Sequence, residues 1–220
     1  DEAGAVHRDA LARGRNAYHE PYLNMNYVLN ELGGHLFLQG DYVGAETFFR
    51  AALDINESLF GETHPYVAAA MTNIGAAASC QGDLETEEHF TRRSLEMNRQ
   101  LFGESHPEVA QGLYNLAMLY EKKGDLTEGE SLHREALAMR RTLLGDAHPL
   151  VARSLVVLAE VLTRQGDHAA AESLYAEARN IQGGLLGAEH PEVVLTLRDV
   201  GCLLQKEGRQ IGQLGGKGRV

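Results

Sequence analysis

Apolar and small residues recur along this chain at the spacing of amphipathic helices, and one register repeats every 42 residues. One recurring position is always large and apolar: Leu32, Ile74, Leu116, Leu158 and Val200. The next position is always small: Gly33, Gly75, Ala117, Ala159 and Gly201. Further along each period, a small residue precedes a large apolar one by three positions, as in Ala45–Phe48, Gly129–Leu132 and Ala171–Leu174. Because small residues let helices approach closely, each period is predicted to contain two packed helices, helix A and helix B.

Three short motifs separate these helices and keep the same period. Gly-Asp begins at Gly40, Gly82, Gly124 and Gly166, Leu-Phe-Gly or Leu-Leu-Gly ends at Gly61, Gly103, Gly145 and Gly187, and His-Pro begins at His64, His106, His148 and His190. Gly permits the left-handed turn after a helix, Asp caps the next helix, and Pro suits a first helical turn. In the second period we therefore predict helix A at about 65–81 and helix B at about 83–101.

A helix pair of this kind cannot bury its apolar face alone, so successive pairs must stack into an all-α solenoid. The small, Tyr, Gly, Ala, aromatic, Ala pattern resembles the tetratricopeptide repeat, most clearly at Ala159, Gly166, Ala171, Tyr175 and Ala178. The longer period, with L-[FL]-G-x-x-H-P linkers and N-[IL]-[GA] in helix A, is similar to the repeats of kinesin light chains. The resemblance covers about residues 1–207 and implies a right-handed superhelical array of antiparallel helix pairs.

The period also predicts the organisation of the chain. Complete units are predicted at 21–61, 62–103, 104–145 and 146–187. Residues 1–20 match helix B of a preceding repeat, so we expect the array to extend N-terminally. Residues 188–208 are predicted to form a C-terminal capping helix with a polar finish, and the Gly-rich residues 209–220 a flexible tail.

The second unit departs from the pattern in helix B. Glu87 occupies the small site, and Thr91 stands where an aromatic residue is usual. Because an unpaired buried charge is costly, we expect helix B to turn slightly so that Glu87 reaches solvent or Arg92.

Composition narrows the range of functions. The 220 residues are 44% hydrophobic and 23% charged, which is typical of a soluble folded protein. The net charge of −11 argues against nucleic acid and anionic membranes as general partners. No apolar run approaches the ~18 residues of a membrane span. The two cysteines, Cys80 and Cys202, form no CxxC pair, so we predict a reducing, cytoplasmic location.

No sequence motif of catalysis is present. The chain lacks a Walker A loop, a GxSxG elbow and an HExxH motif. Equivalent His-Pro histidines in stacked units would lie about 10 Å apart, so we expect them to serve the entrance of helix A and not a metal. His89 and His133 are expected to be packing or solvated residues. We therefore predict no catalytic residue, no metal and no cofactor.

The resemblance implies that helix A lines the concave face of the array. Asn73 and Asn115 match the asparagine of the family's N-L-A motif, which implies that they grip a peptide backbone. A carboxamide both donates and accepts hydrogen bonds, which suits that role; alternatively, each Asn bonds a neighbouring helix end. Further candidate binding residues on this face are Tyr27, Asn30, Thr72, Tyr114, Met118, Lys122, Arg153, Arg164 and Arg198. The gathering of basic residues predicts a ligand with an apolar anchor and an acidic stretch.

Two functions follow from these observations. The first is a non-catalytic scaffold that binds an extended peptide or partner segment. The alternative is a regulatory or sensor segment of a larger enzyme, such as a bacterial serine/threonine kinase, which the reading frame upstream of Asp1 would decide. A stand-alone enzyme would instead need a deep polar pocket with strongly shifted acids. The partner and the oligomeric state stay open.

Overall fold

The computed structural model describes residues 25–186, which form eight α-helices and no strand. Helix α1 covers residues 25–39. The others are α2 (Tyr42–Phe60), α3 (Pro65–Gln81), α4 (Leu84–Phe102), α5 (Pro107–Lys123), α6 (Leu126–Leu144), α7 (Pro149–Gln165) and α8 (His168–Leu186). Odd-numbered helices are the predicted helices A and even-numbered ones the helices B. The all-α prediction is confirmed, and α3 and α4 lie within one residue of their predicted bounds. The helices predicted at 1–20 and 188–208 and the tail at 209–220 lie outside the described residues.

The described residues divide into two compact units, with the division between Glu104 and Ser105. In the first unit α3 packs against α2 and α4, and in the second α7 packs against α6 and α8. A helix A therefore lies between two helices B and loses water from both flanks. Its flanks are correspondingly apolar or small, as the fully buried residues Val67, Ala70, Met71, Ile74 and Ala77 of α3 show. Burial of this kind supplies most of the stabilisation of packed helices.

Each unit has its own apolar core. The core of the first unit joins Ala45, Phe49, Leu53, Val67, Ala70, Met71, Ile74, Ala77 and Phe90, with Leu36, Phe37 and Met97 packed against it. The core of the second unit joins Leu137, Val151, Leu155, Leu158, Ala159, Leu162, Ala171, Tyr175 and Ala178. No helix within residues 25–186 is both long and apolar enough to cross a membrane.

The Gly-Asp turn joins helix A to helix B in the predicted way. Gly82 adopts the left-handed conformation, with φ 77°, and closes α3. The carboxylate of Asp83 then accepts a hydrogen bond from the backbone N–H of Thr86, at 3.1 Å. The same cap recurs at Asp41, Asp125 and Asp167. Each cap satisfies a donor that the first turn of a helix leaves unpaired.

The His-Pro motif starts helix A with a second kind of cap. The ring nitrogen Nδ1 of His64, His106 and His148 accepts a hydrogen bond from the backbone N–H two residues later, at 3.1–3.2 Å. The following proline occupies the first helical turn. These three histidines thus have the structural role that was predicted for the linker, and His190 lies outside the described residues. The glycine that ends the preceding helix has a positive φ as well, 82° at Gly61, with a ψ of 174° that only glycine adopts readily.

The prediction that α4 turns so that Glu87 reaches solvent is wrong. Glu87 does not turn toward solvent; it is buried, with 4% of its surface exposed, and so is Thr91. Helix α4 keeps the register of the other helices B because the Asp83 cap fixes its start and Phe90 and Leu95 bury the same flank. Arg92 forms an ion pair with Glu88. Rotation of α4 would free Glu87 only by exposing these apolar side chains.

Replacement of His148 tests the histidine cap. We expect His148→Ala to lower the free energy of unfolding by about 1 kcal/mol, because the N–H of Leu150 loses its acceptor. His148→Asn, which keeps a capping oxygen, should stay within about 0.5 kcal/mol of the parent. Urea unfolding followed by circular dichroism gives both values. Equal losses in the two variants would show that the imidazole stabilises the linker by some means other than capping.

Acid titration tests the aspartate cap. Hydrogen bonds from the Thr86 side chain and backbone lower the pKa of Asp83 below its ordinary value of 3.8. The cap therefore stabilises the fold above that value, and the contribution is lost as the pH falls through the lower pKa of the folded state. We expect Thr86→Ala to raise the pKa of Asp83 toward 3.8, measured by NMR titration of its side-chain carbon. Thr142→Ala, whose hydroxyl bonds Ala138, is the control and should leave that pKa unchanged.

Candidate peptide-binding site

A cavity of about 510 Å³ opens on the helix A face of the first unit. Its walls combine polar and apolar side chains of α1, α2 and α3. The lining residues are Asn30, Glu31, Gly34, His35, Phe37, Leu38, Phe49, Asn73 and Ala76. Two of the predicted site residues, Asn30 and Asn73, thus line one cavity although they are 43 positions apart in sequence.

The two asparagines differ in how they are held. Asn30 donates to the backbone oxygen of Asn26 at 2.9 Å and to its side-chain oxygen at 3.0 Å. Asn73 is half-buried, and its carboxamide makes no hydrogen bond to any residue between 25 and 186. A carboxamide can accept and donate, so Asn73 keeps both capacities for a ligand. The alternative prediction, that Asn73 bonds a neighbouring helix end, receives no support within the described residues.

The apolar wall of the cavity depends on one glycine. Phe49 of α2 is buried, and its ring packs directly on the backbone of α1 at Gly33. A Cβ at position 33 would lie 2.6 Å from Cε1 of Phe49, well inside van der Waals contact. The glycine therefore lets the ring lie beneath the cavity. This explains why the position that was predicted to need a small residue is a glycine in this repeat.

In the second unit a buried arginine of helix B contacts residues of two helices A, α5 and α7. Arg140 of α6 is 3% exposed and donates to the hydroxyl of Ser154 at 2.6 Å and to Oε1 of Gln111 at 2.9 Å. Burial lowers the pKa of the Arg140 guanidinium from its ordinary value; Tyr114 opposes this shift, and the charge of Arg153 adds to it. Arg140 makes no ion pair with a carboxylate among the described residues.

The buried arginine is linked to the predicted site residues. Gln111 donates through Nε2 to Oδ1 of Asn115 at 2.7 Å. The guanidinium of Arg140 lies 4.8 Å from the ring centre of Tyr114, and that of Arg153 lies 5.3 Å from it. Such distances are typical of cation–π contacts. Asn115, Tyr114 and Arg153 therefore belong to one polar cluster in the second unit.

Several predicted site residues are engaged within the protein. Tyr114 is buried at 6% exposure beneath the two guanidinium groups. The hydroxyl of Thr72 lies 2.7 Å from that of Ser94 on α4, so it faces helix B. Arg164 forms an ion pair with Glu121 at 2.6 Å, and Glu121 also lies 2.8 Å from the buried His133. These contacts give the three side chains structural roles within their units.

The remaining predicted residues are more accessible. Tyr27 is 66% exposed, Lys122 and Arg153 are exposed, and Met118 is half-buried. Arg198 lies outside the described residues.

Sequence reasoning missed one periodic set of residues. A polar side chain is buried near the end of every described helix B: Asn56, Asn98, Arg140 and Gln182. Asn56 donates to the backbone oxygen of Tyr66 at 3.1 Å and so ties the end of α2 to the start of α3. The signal was present in the sequence, because these residues are spaced by the same 42 positions. It was overlooked because polar residues late in a helix are usually exposed.

Consecutive helix pairs with repeated caps define a helical repeat protein. The sequence matches the tetratricopeptide repeat model over residues 24–100, 108–183 and 157–210, and the chain belongs to the tetratricopeptide repeat family. Repeats of this family are generally protein-interaction scaffolds, and the fold is typically non-catalytic. No curated protein matches the chain.

Solved structures with the same fold include relatives of kinesin light chains. BtubC (BKLC) from P. vanneervenii aligns with a TM-score of 0.77 at 20% identity, covering 93% of this chain and 82% of that one. Two structures of a Podosopora anserina protein with nearly identical TPR-like repeats, assigned as a kinesin light chain, give TM-scores of 0.72 and 0.71. Both are 20% identical and cover 83% of this chain and 86% of theirs. At this identity the likeness shows the fold, that of a tetratricopeptide repeat solenoid.

Adjacent glycines of α1 provide a matched test of the cavity wall. We expect Gly33→Ala to lower the free energy of unfolding by about 1–3 kcal/mol, because the new Cβ collides with the Phe49 ring. A Cβ at Gly34 meets nothing within 4 Å, so Gly34→Ala should be neutral or stabilise by up to about 1 kcal/mol. Urea unfolding measures both variants. Equal stability of the two would contradict the packing of Phe49 on α1.

Proposed function

We propose that this chain is a non-catalytic scaffold that holds an extended peptide against the helix A faces of its units. The observation that carries the proposal is the cavity of the first unit. There, Asn73 offers a carboxamide that bonds no residue between 25 and 186, beside an apolar wall formed by Phe37, Leu38 and Phe49. A volume of about 510 Å³ is ample for one large apolar side chain.

The chemistry of an extended peptide matches this surface. Every non-proline residue of a peptide carries one backbone donor and one acceptor, and a bound peptide must satisfy those that lose water. A carboxamide can pair with either group whatever the side chains are, so Asn73 suits recognition of the backbone. An apolar side chain of the ligand would enter the cavity and supply affinity through burial.

In the second unit the corresponding ligand segment would contact Asn115 and Arg153. Arg153 is exposed and carries no carboxylate partner within residues 25–186, which favours an acidic residue in the ligand. The same surfaces would serve a regulatory segment of a larger enzyme equally well. The reading frame upstream of Asp1 distinguishes that arrangement from a separate scaffold.

A peptide-library selection tests the proposal directly. We expect the parent chain to enrich a motif that the double variant Asn73→Ala/Asn115→Ala binds at least about tenfold more weakly, since the hydrogen bonds of both carboxamides to the ligand are lost. The affinity of synthetic peptides carrying the motif is measured by fluorescence anisotropy.

The exposed Asn180 of α8 provides the matched control. Asn180→Ala removes the same carboxamide from a helix B and should bind the motif as the parent does. A motif retained by the double variant would move recognition to another face. Failure to enrich any motif would contradict a peptide-binding role.

A further inference from the structure

The polar cluster of the second unit has a fixed hydrogen-bond direction. An arginine can only donate, so the Gln111 atom that faces Arg140 must be its oxygen. The amino group of Gln111 then faces Asn115, and Asn115 must present its own oxygen to receive it. Both N–H donors of Asn115 therefore point away from Gln111. They bond no residue within the described part of the chain.

From this direction we infer that Arg140, acting through Gln111, fixes Asn115 as a hydrogen-bond donor toward its ligand, so that this position selects an acceptor-only group, a carboxylate. The inference rests on the proposed function and specifies one contact of it. Arg140 is a positioning residue in this scheme, since it is buried and acts through Gln111. Asn115 and Arg153 would contact the ligand.

Charge favours a carboxylate over a backbone carbonyl at this position. Arg140 and Arg153 lie around the same tyrosine ring, and neither forms an ion pair with an acidic residue between 25 and 186. The acceptors that Arg140 uses, Ser154 and Gln111, are both neutral. Ser154 in turn donates to the backbone oxygen of Leu150, which is also a neutral group. An unbalanced pair of guanidinium groups in a protein of net charge −11 is a local attraction for an anion.

The first unit provides the contrast. Asn73 occupies the position equivalent to Asn115, but Ala69 replaces Gln111 and Asn98 replaces Arg140. Nothing in the described residues fixes the direction of the Asn73 carboxamide. The two asparagines are therefore expected to differ. Asn73 can turn either end of its carboxamide to a ligand, whereas Asn115 has its oxygen turned to Gln111 and its N–H groups directed to an acceptor.

A pair of blocked peptides tests the inference on the full chain. N-acetylated, C-amidated tri-glutamate and tri-glutamine have similar size and differ in charge and in donors. We expect the side-chain amide NMR signals of Asn115 to shift with tri-glutamate and the affinity for it to exceed that for tri-glutamine about tenfold, as one charge-assisted hydrogen bond allows.

Removing the hydrogen bonds that connect Arg140, Gln111 and Asn115 should abolish the preference for tri-glutamate while Asn115 itself is kept. In Gln111→Met, which adds no charge, the preference for tri-glutamate should fall below about threefold. Arg140→Met should give the same fall, and the double variant should fall no further, because both residues act through one connection. Gln165→Met is the control: its side chain bonds Leu126 on another part of the second unit, and the preference should persist.

Three results would overturn the inference. They are equal binding of the two peptides by the parent, no Asn115 shift with tri-glutamate, and a preference that survives in Gln111→Met. If Arg140→Met does not fold, Gln111→Met alone decides, with circular dichroism as the check on its helices. A neutral peptide motif selected by the parent and lost in Asn73→Ala/Asn115→Ala would keep the proposed function while this inference fails.

Discussion

The close contact between helix A and helix B within each unit constrains the rest of the structure. Where α1 meets α2, the ring of Phe49 rests on the backbone at Gly33, and where α3 meets α4, Thr91 lies against Gly75. Neither contact tolerates a larger residue on helix A unless its neighbour shifts. Because the helices approach so closely, their lengths, caps and connecting turns must repeat as well. The 42-residue period of the sequence follows from that requirement.

This constraint determines how much could be predicted from sequence. The motifs that end and begin helices were recognisable because each has a local cause: Gly82 needs a positive φ, Asp83 caps α4, and Pro65 occupies a first turn. Glu87 was misjudged for the opposite reason. Its burial is decided by the register of a whole helix, which the apolar residues Phe90 and Leu95 hold in place. The energetic cost of burying a charge, judged from this residue alone, was therefore the wrong guide to its position.

The helix on which each candidate site residue lies was predictable, but the contacts of its side chain were not. The period identified Asn73 and Asn115 as equivalent residues on helix A, and Asn73 does line a cavity with Asn30. The sequence alone could not show that Tyr114 is buried beneath two arginines or that Thr72 faces α4. Those outcomes depend on rotamers and on partners in another helix. The buried polar set from Asn56 to Gln182 was also hidden, since its burial follows from helix packing and not from polarity.

Equivalent positions in a repeat can share a fold and still differ in chemistry. The backbone of each unit is set by helix packing, so a residue such as Arg140 can replace Asn98 or Asn56 without changing the helices around it. What changes is the polar neighbourhood. An arginine can only donate, so every group that it hydrogen-bonds must accept, whereas an asparagine can donate or accept. In the scheme we propose, variation at a buried helix B position alters what a helix A asparagine recognises, while the packing that defines the repeat stays the same. Specificity in such an array can therefore originate one layer behind the surface that meets the ligand.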